Sequence, residues 1–214
     1  MSGLACFEES HRTALFEGLM RAFVKFVAPQ PEWTALDLGC GPGGLARIVA
    51  ASVAHVVGVD TDPNVLEAAR QAALADGRSN LTFDRGKLAA LPYPQGHFDA
   101  VLAANLLYQF SNPLNGVREM ARVTRAGGTV AMINPSIKLT TDLAKAQLEK
   151  YVWTDFERGQ LISWASYVDA GKVFTDQHAT TLFAQAGLVA MQTATTMEGT
   201  FLMAKGTTVW ANTE

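Results

Sequence analysis

The chain contains little of what several classes of protein require. Its 214 residues include two cysteines, Cys6 and Cys40, which show no disulfide-framework spacing. No apolar run approaches the ~20 residues of a membrane helix, and the opening residues do not have the pattern of a signal peptide. We therefore expect a cytoplasmic protein that needs neither disulfides nor a membrane span.

Basic residues and metal-ligand patterns are also scarce. The 17 Lys and Arg residues are outnumbered by 20 Asp and Glu residues, the net charge is −3, and no basic tract occurs. This balance disfavours a nucleic-acid partner, because phosphate binding needs clustered cations. None of the four histidines has a partner at the spacing of a metal site or a catalytic triad, so no metal is predicted.

Apolar runs alternate with amphipathic segments along the chain. The pattern is typical of a parallel sheet covered by helices on both faces, and the length predicts one domain, residues 1–214. Strands are predicted near 34–38, 55–60, 80–84, 98–103, 128–133, 189–195 and 200–205. Helices are predicted between them near 43–51, 64–76, 113–124 and 176–185. The last two strands should form a hairpin.

Two segments lie outside this alternation. Residues 8–28 carry apolar positions at helical spacing, and residues 136–172, inserted after the fifth strand, predict helices near 140–151 and 155–170. An insertion at that point lies above the carboxyl ends of the strands, where ligands bind in open α/β sheets. The two segments form either a cap over a substrate pocket or an accessory pair of packed helices.

The most informative stretch is residues 35–46, which read ALDLGCGPGGLA. A short apolar strand carrying Asp37 runs into a glycine-rich turn, and a helical pattern follows at once. Glycines allow positive φ and let the backbone approach a ligand closely, and a helix N-terminus offers unpaired N–H groups. This order predicts a binding site for a nucleotide-type cofactor.

The glycine spacing leaves two classes of cofactor open. Gly39, Gly41 and Gly44 fit the G-x-G-x-x-G pattern of dinucleotide-binding dehydrogenases, whereas Gly39, Gly41 and Gly43 fit G-x-G-x-G. The Asp37 carboxylate would repel a pyrophosphate but attract a ligand that carries an ammonium and a sulfonium. A nicotinamide-dependent oxidoreductase is therefore the weaker enzyme alternative. A regulatory protein that binds the cofactor without turnover is a second alternative.

Four linked motifs resemble those of one family. DLGCGPGG at residues 37–44 is similar to motif I of the class I S-adenosylmethionine-dependent methyltransferases. The likeness continues at the expected spacings with VVGVD at 56–60, GKLAALPYP at 86–94 followed by FDAV at 98–101, and REMARVTRAGG at 118–128. The GPG and LPYP-like motifs are shared with the ubiquinone- and menaquinone-type members of the small-molecule branch.

The resemblance covers residues 34–134 closely and 174–205 loosely, and it implies both a fold and an activity. The fold is α/β and Rossmann-like, a doubly wound, seven-stranded, mostly parallel sheet with an antiparallel C-terminal hairpin and a helical lid insertion. The activity is transfer of a methyl group from S-adenosylmethionine to a small-molecule acceptor, which leaves S-adenosylhomocysteine. The exposed aromatic residues of the insertion could serve a homodimer as easily as a lid.

The resemblance also implies which residues bind the cofactor. The glycine turn should hold the methionine part through its backbone, Asp37 should hold the ammonium or orient the turn, and Asp60 should bind the ribose hydroxyls. The full set of implied cofactor residues is Asp37, Gly39, Cys40, Gly41, Gly43, Asp60, Thr61, Lys87, Leu88 and Asn105.

Lys87 departs from the family pattern. The family usually carries an acid at this position, which accepts a hydrogen bond from the adenine amine, whereas lysine has only donors. We therefore hypothesise that adenine is held mainly by Leu88 and by stacking.

Two residues are candidates for catalysis. Tyr108 follows the fourth strand, where it could orient an acceptor, and His11 lies on the N-terminal helix, where it could act as a general base. The donor is already activated, so the protein contributes mainly proximity and orientation. A base is needed only if the acceptor must lose a proton.

Overall fold

One sheet of seven strands organises the computed structural model, which describes residues 13–150, 152–171 and 173–210. The strands are β1 (Thr34–Leu38), β2 (His55–Asp60), β3 (Leu81–Arg85), β4 (Phe98–Ala104), β5 (Thr124–Pro135), β6 (Leu188–Thr196) and β7 (Phe201–Thr208). Their order in the sheet is β3-β2-β1-β4-β5-β7-β6. Strands β1 to β5 pair in parallel, and β7 pairs antiparallel with both β5 and β6. The predicted fold class is confirmed.

Helices cover the sheet at the predicted places. They are α1 (Ala14–Val27), α2 (Gly44–Val49), α3 (Pro63–Ala75), α4 (Pro113–Val123), α5 (Thr141–Lys150), α6 (Asp155–Asp169) and α7 (Asp176–Gln185). Single 3₁₀ turns occupy Leu107–Gln109 and Met197–Gly199.

The helix boundaries follow from local capping chemistry. At α3 the Asp62 carboxylate accepts from the Asn64 N–H (2.9 Å) and Pro63 takes the first helical position, as the sequence predicts. At α7 the Thr175 hydroxyl accepts from the His178 N–H (3.1 Å). Helix α1 begins after its N-cap Thr13, so the described helix is shorter than the predicted 8–28, and residues 8–12 lie outside the described residues.

The middle of the sheet is apolar because helices cover both of its faces. Four of the five residues of β1 are buried, and one of these four is the acid Asp37. On α1 every buried side chain belongs to one stripe at helical spacing, namely Leu15, Phe16, Leu19, Met20, Phe23 and Val27. Among the described residues of the sheet, Asp37 is thus an acid buried near the carboxyl end of β1.

The insertion between β5 and α7 leaves the sheet after Pro135 and rejoins it at Phe174. Ser136 and Phe174 form an isolated parallel bridge at its base. Its helices α5 and α6 pack on each other. Glu157, on α6, accepts hydrogen bonds from the N–H of Leu15 (3.0 Å) and from the N–H of Thr154 (3.0 Å). One carboxylate therefore joins the insertion to the first turn of α1.

Candidate active site

A cavity of about 370 Å³ lies at the carboxyl ends of β1, β2 and β4. This is the end of a parallel sheet where ligands bind, and the volume falls in the range of small-molecule sites. Its lining includes Asp37, Gly39, Cys40, Asp60, Thr61, Leu88, Asn105 and Tyr108, which are eight of the twelve site residues predicted from the sequence.

The glycine turn shapes one end of this cavity. The N–H groups of Gly39 and Cys40 both donate to the Val59 carbonyl oxygen, at 2.8 and 3.0 Å. Gly39 has a φ of +69°, and a Cβ added there would lie 2.9 Å from the Leu106 side chain, so the backbone geometry requires glycine. Gly41 and Gly43 also have positive φ, but both are buried and lie outside the cavity lining.

Asp37 is the most perturbed acid of the cavity. Its side chain is 2% exposed, and Oδ2 has no hydrogen-bond partner. Burial raises its pKa to about 7, the Ala46 N–H lowers it in part, and the neighbouring Asp60 charge raises it further. A buried carboxylate with an unpartnered oxygen is a site for a cation, because a cation would restore the charge balance.

Asp60 is held firmly by backbone donors at the end of β2. Its Oδ2 accepts from the Gly41 N–H (3.1 Å), and its Oδ1 accepts from the N–H groups of Thr61 (2.7 Å) and Asp62 (3.1 Å). These three bonds fix the carboxylate beside the glycine turn. It is half-buried and can accept further donors such as ribose hydroxyls.

Cys40 is a small buried residue in the turn. Burial raises the pKa of its thiol well above the usual range, and the Asp37 and Asp60 charges raise it further. The thiol therefore stays protonated, and it has none of the character of a nucleophile.

Leu88 and Lys87 point to different places. Leu88 lines the cavity and packs over Gly116 of α4, where an added Cβ would lie 2.7 Å from Leu88 Cδ2. Lys87 is exposed and lines a separate surface pocket beside Arg85. The structure thus places Leu88, and not Lys87, on the wall of the cavity.

Asn105 follows β4 in a left-handed conformation, with a φ of +51°. Its N–H donates to the Ile133 carbonyl (2.8 Å), and its own carbonyl accepts from Gln109 Nε2 (2.8 Å). Both polar atoms of its carboxamide are buried and have no partner. Because buried polar groups normally have partners, this side chain is a candidate for ligand binding.

Tyr108 stands in the 3₁₀ turn after β4 and is buried. Burial and the neighbouring Tyr167 raise its pKa to about 12, against the hydrogen bonds that the side chains of Trp164 and Gln109 make with its hydroxyl. The phenol is therefore neutral at physiological pH and is suited to orienting a ligand rather than to removing a proton. The other catalytic candidate, His11, lies outside the described residues.

Eleven of the nineteen residues that line the cavity are outside the predicted site set. Four of them, Phe16 of α1, Phe110, and Gln160 and Trp164 of α6, form the wall opposite the sheet. Gln160 and Trp164 are four positions apart and thus share one face of α6. The sequence predicts a cap from these segments, but it does not say which face of α6 turns to the cavity.

The described residues show neither a metal-binding cluster nor a membrane-spanning helix. Among the described residues, no group of three or more His, Cys, Asp or Glu side chains is placed to hold a metal ion. No described helix is both long enough and apolar enough to cross a bilayer.

The fold and the site together define the class. A doubly wound sheet ends in an antiparallel hairpin, and a glycine turn lies between a buried acid on β1 and a second acid at the end of β2. Asp37 and Asn105, which both carry unpartnered polar atoms, line the cavity. These residues would suit S-adenosylmethionine, and the sheet order is that of the Rossmann-like methyltransferase fold.

Comparison with known proteins shows a likeness to one family. Residues 36–132 match the family described as "Methyltransferase domain". The match covers 97 of the 214 residues of the chain, and the likeness concerns that part.

Two curated relatives share about a third of the matched residues. An uncharacterized methyltransferase of Bacillus subtilis is 31% identical over 117 residues, which cover 55% of this chain and 45% of the relative. A demethylmenaquinone methyltransferase of Clavibacter sepedonicus is 33% identical over 111 residues, covering 52% and 44%. The chain thus spans less than half the length of these relatives.

A solved structure supports the fold. The phosphoethanolamine N-methyltransferase 2 of Haemonchus contortus, in complex with S-adenosyl-L-methionine, matches with a TM-score of 0.72. The match has 12% identity and covers 98% of this chain and 57% of that one. At this identity the likeness concerns the fold alone.

Proposed function

We propose that this protein transfers a methyl group from S-adenosylmethionine to a small-molecule acceptor. The observation that carries the proposal is Asp37, a buried acid with an unpartnered oxygen in a cavity beside the glycine turn. A cationic cofactor suits this acid, whereas the pyrophosphate of a dinucleotide would meet the charge of Asp37.

The cofactor's parts map onto the sheet side of the cavity. The Asp37 carboxylate binds the ammonium, and the Asp60 carboxylate binds the ribose hydroxyls. Leu88 packs against adenine, and the Asn105 carboxamide, which follows β4, bonds the methionine end. Gly41 and Gly43 do not line the cavity and contribute by shaping the turn. The Gly41 N–H also donates to Asp60 and holds its carboxylate in place.

Bound S-adenosylmethionine supplies an activated methyl group on a sulfonium. The chain's own contribution is to position the acceptor in line with that methyl group and to exclude water. Phe16, Phe110 and Trp164 close the cavity over the sheet, and the Tyr108 phenol orients the acceptor. No ionised base is required for an acceptor that is already nucleophilic.

The acceptor is proposed to be a small molecule. Residues 136–172 and helix α1 act as its cap, for which their contact through Glu157 and the position of Trp164 give support. The demethylmenaquinone methyltransferase among the relatives is one precedent for a ring-containing acceptor, as its name states. The cytoplasmic location and the homodimer remain predictions from the sequence.

Calorimetry with S-adenosylmethionine, S-adenosylhomocysteine and NAD tests the proposal. We expect micromolar binding of the two sulfur compounds and none of NAD, because the Asp37 charge repels a pyrophosphate. Binding of NAD alone would point to an oxidoreductase. Binding of the sulfur compounds without S-adenosylhomocysteine formation from any acceptor would favour the regulatory alternative.

A further inference from the structure

The two sides of the cavity differ in charge. The acids of its lining, Asp37 and Asp60, both stand at strand ends on the sheet side. The opposite side comes from α1, from the turn after β4 and from α6. Its described residues are Phe16, Tyr108, Gln109, Phe110, Gln160 and Trp164, and none of them is an Asp, Glu, Lys or Arg.

This second side, which we call the acceptor wall, offers ring faces. Four of its six residues are aromatic. The Trp164 ring is fixed edge-on against Phe201, with ring centroids 5.1 Å apart, and the Tyr108 ring is fixed edge-on against Tyr167 at 5.4 Å. Rings held in this way present flat apolar surface to a planar ligand.

One polar atom of the acceptor wall is unsatisfied. The Gln160 side-chain oxygen Oε1 is buried without a hydrogen-bond partner. An amide oxygen left without a donor in a buried position is unfavourable by about 1–3 kcal/mol. A ligand that donates an O–H or N–H there would remove that penalty, whereas a ligand that carries only acceptors would not.

From these features we infer that Gln160 determines acceptor specificity and that the acceptor is an uncharged, planar ring compound with a hydroxyl or N–H donor. The inference rests on the proposed methyltransferase function. The donor group binds Gln160 Oε1 and the ring packs on the aromatic residues. A phosphorylated or carboxylated acceptor is rejected, because a buried anion needs a cationic partner and the described acceptor wall has none.

Binding of matched ring compounds to the protein loaded with S-adenosylhomocysteine tests this inference by ligand-observed NMR. Each set carries a hydroxyl, a methoxy group or a phosphate on one ring, such as naphthol, methoxynaphthalene and naphthyl phosphate. We expect the hydroxyl compound to bind at least about tenfold more tightly than the other two.

Gln160→Met removes the amide oxygen at similar length. We expect it to remove the preference for hydroxyl over methoxy while changing the Kd of S-adenosylhomocysteine less than twofold. Gln147→Met is the matched control, because Gln147 is also a buried glutamine of the insertion with an unpartnered Oε1, but it lines a different groove. The control should keep the preference.

The results distinguish a failure of the proposed methyltransferase function from a failure of the inference about the acceptor. If S-adenosylhomocysteine does not bind, the proposed function itself fails. If it binds but the phosphate compound binds best, if no hydroxyl compound binds, or if Gln160→Met keeps the preference, then only the inference about the acceptor is overturned.

Discussion

The sheet side of the cavity and the acceptor wall are built in different ways. On the sheet side, ligand groups stand at the ends of β1, β2 and β4, where strand pairing fixes the backbone. On the acceptor wall they come from two helices and one turn that are distant in sequence. Glu157 and Leu15, which join α6 to α1, are 142 positions apart.

The contrast extends to chemistry. The sheet side uses charged side chains and backbone groups. The Asp60 carboxylate, for example, accepts hydrogen bonds from three backbone N–H groups. The acceptor wall uses rings and a neutral amide. A reaction with one shared donor and varied acceptors suits this division, because the two halves of the cavity can change independently.

The largest effect should come from neutralising the sheet side. We expect Asp37→Asn to weaken binding of S-adenosylmethionine about 100-fold, because the ammonium loses its buried charged partner. Calorimetry measures this directly. Melting of the ligand-free variant above pH 7 should occur at a higher temperature than in the wild type, because the wild type then holds an unpaired buried charge. A variant that bound the cofactor normally would remove Asp37 from the site.

The affinity for the cofactor should depend on pH through the titration of Asp37. The pKa of Asp37 in the free protein is raised to about 7, so below that pH the carboxyl must lose a proton before it can pair with the ammonium. We expect the Kd of S-adenosylmethionine to rise about tenfold per pH unit below about pH 7.

The pH should affect the stability of the free protein in the opposite direction, because stability falls as the pH rises whereas cofactor affinity increases. The raised folded-state pKa of Asp37 adds stability that is present below the ordinary aspartate pKa of 3.8 and is lost as the pH rises through about 7. Asp37→Asn should show neither this loss nor the slope in cofactor affinity. An equal slope in the variant would assign the titration to another group.

An intermediate effect should follow from crowding Leu88. A methyl group at Gly116 would contact Leu88 Cδ2 at 2.7 Å, so Gly116→Ala must push the Leu88 side chain toward the cavity. We expect affinity for S-adenosylmethionine to fall about fivefold, a loss of about 1 kcal/mol.

Gly159→Ala is the matched control for that variant. Gly159 lies within α6, and a Cβ there would meet nothing within 4 Å. It should leave cofactor affinity unchanged and raise the melting temperature slightly, because alanine favours helix by about 1 kcal/mol over glycine. Equal losses in both variants would rule out the Leu88 contact as the cause.

A smaller effect, limited to the acceptor wall, is expected from Glu157→Gln. Burial opposes ionisation of Glu157, yet the backbone donors Leu15, Thr154 and Ala14 and the Thr154 hydroxyl together hold its pKa below the usual range. Its contribution to stability is therefore present above the unfolded pKa and is lost as the pH falls through the lowered folded value.

The variant should lower the melting temperature by about 4 °C at neutral pH and weaken acceptor binding about threefold. The Kd of S-adenosylmethionine should stay within twofold. Cofactor affinity that fell as much as acceptor affinity would show that the two sides of the cavity are not separable.

The smallest effect is expected from Lys87→Ala. Lys87 lies outside the cavity lining, and we expect calorimetry to show less than a threefold change in cofactor affinity. A loss of more than tenfold would overturn the hypothesis that Leu88 holds adenine without it.

The sheet side was also the side that the sequence made predictable. Glycines that need positive φ, an acid at a strand end and Pro63 after Asp62 are local signals, so the strands, most helices and the position of the glycine turn beside the cavity follow from short stretches of chain. Lys87 was predicted as a cofactor residue only from its position in the family motif, and its side chain lines a separate surface pocket outside the cavity.

The acceptor wall could not be predicted in the same way. Whether Phe16 and Gln160 meet in one cavity depends on how α1 and α6 pack, and that packing is set by contacts between residues far apart in sequence. The hydrogen bond from the Leu15 N–H to Glu157 could not be predicted from the local sequence. Thr154 and Glu157 already form a capping box within α6, so the sequence gives no reason to expect a second partner for Glu157.

The bridge between Ser136 and Phe174 brings the two ends of the insertion together. A change of length between them therefore need not shift the register of any strand, provided that the contacts of the insertion with Phe201 and Leu15 are kept. Loop closure at such a point varies only slowly with length. Grafting the insertion of another methyltransferase between these two residues is thus a direct way to give this cofactor site a different acceptor.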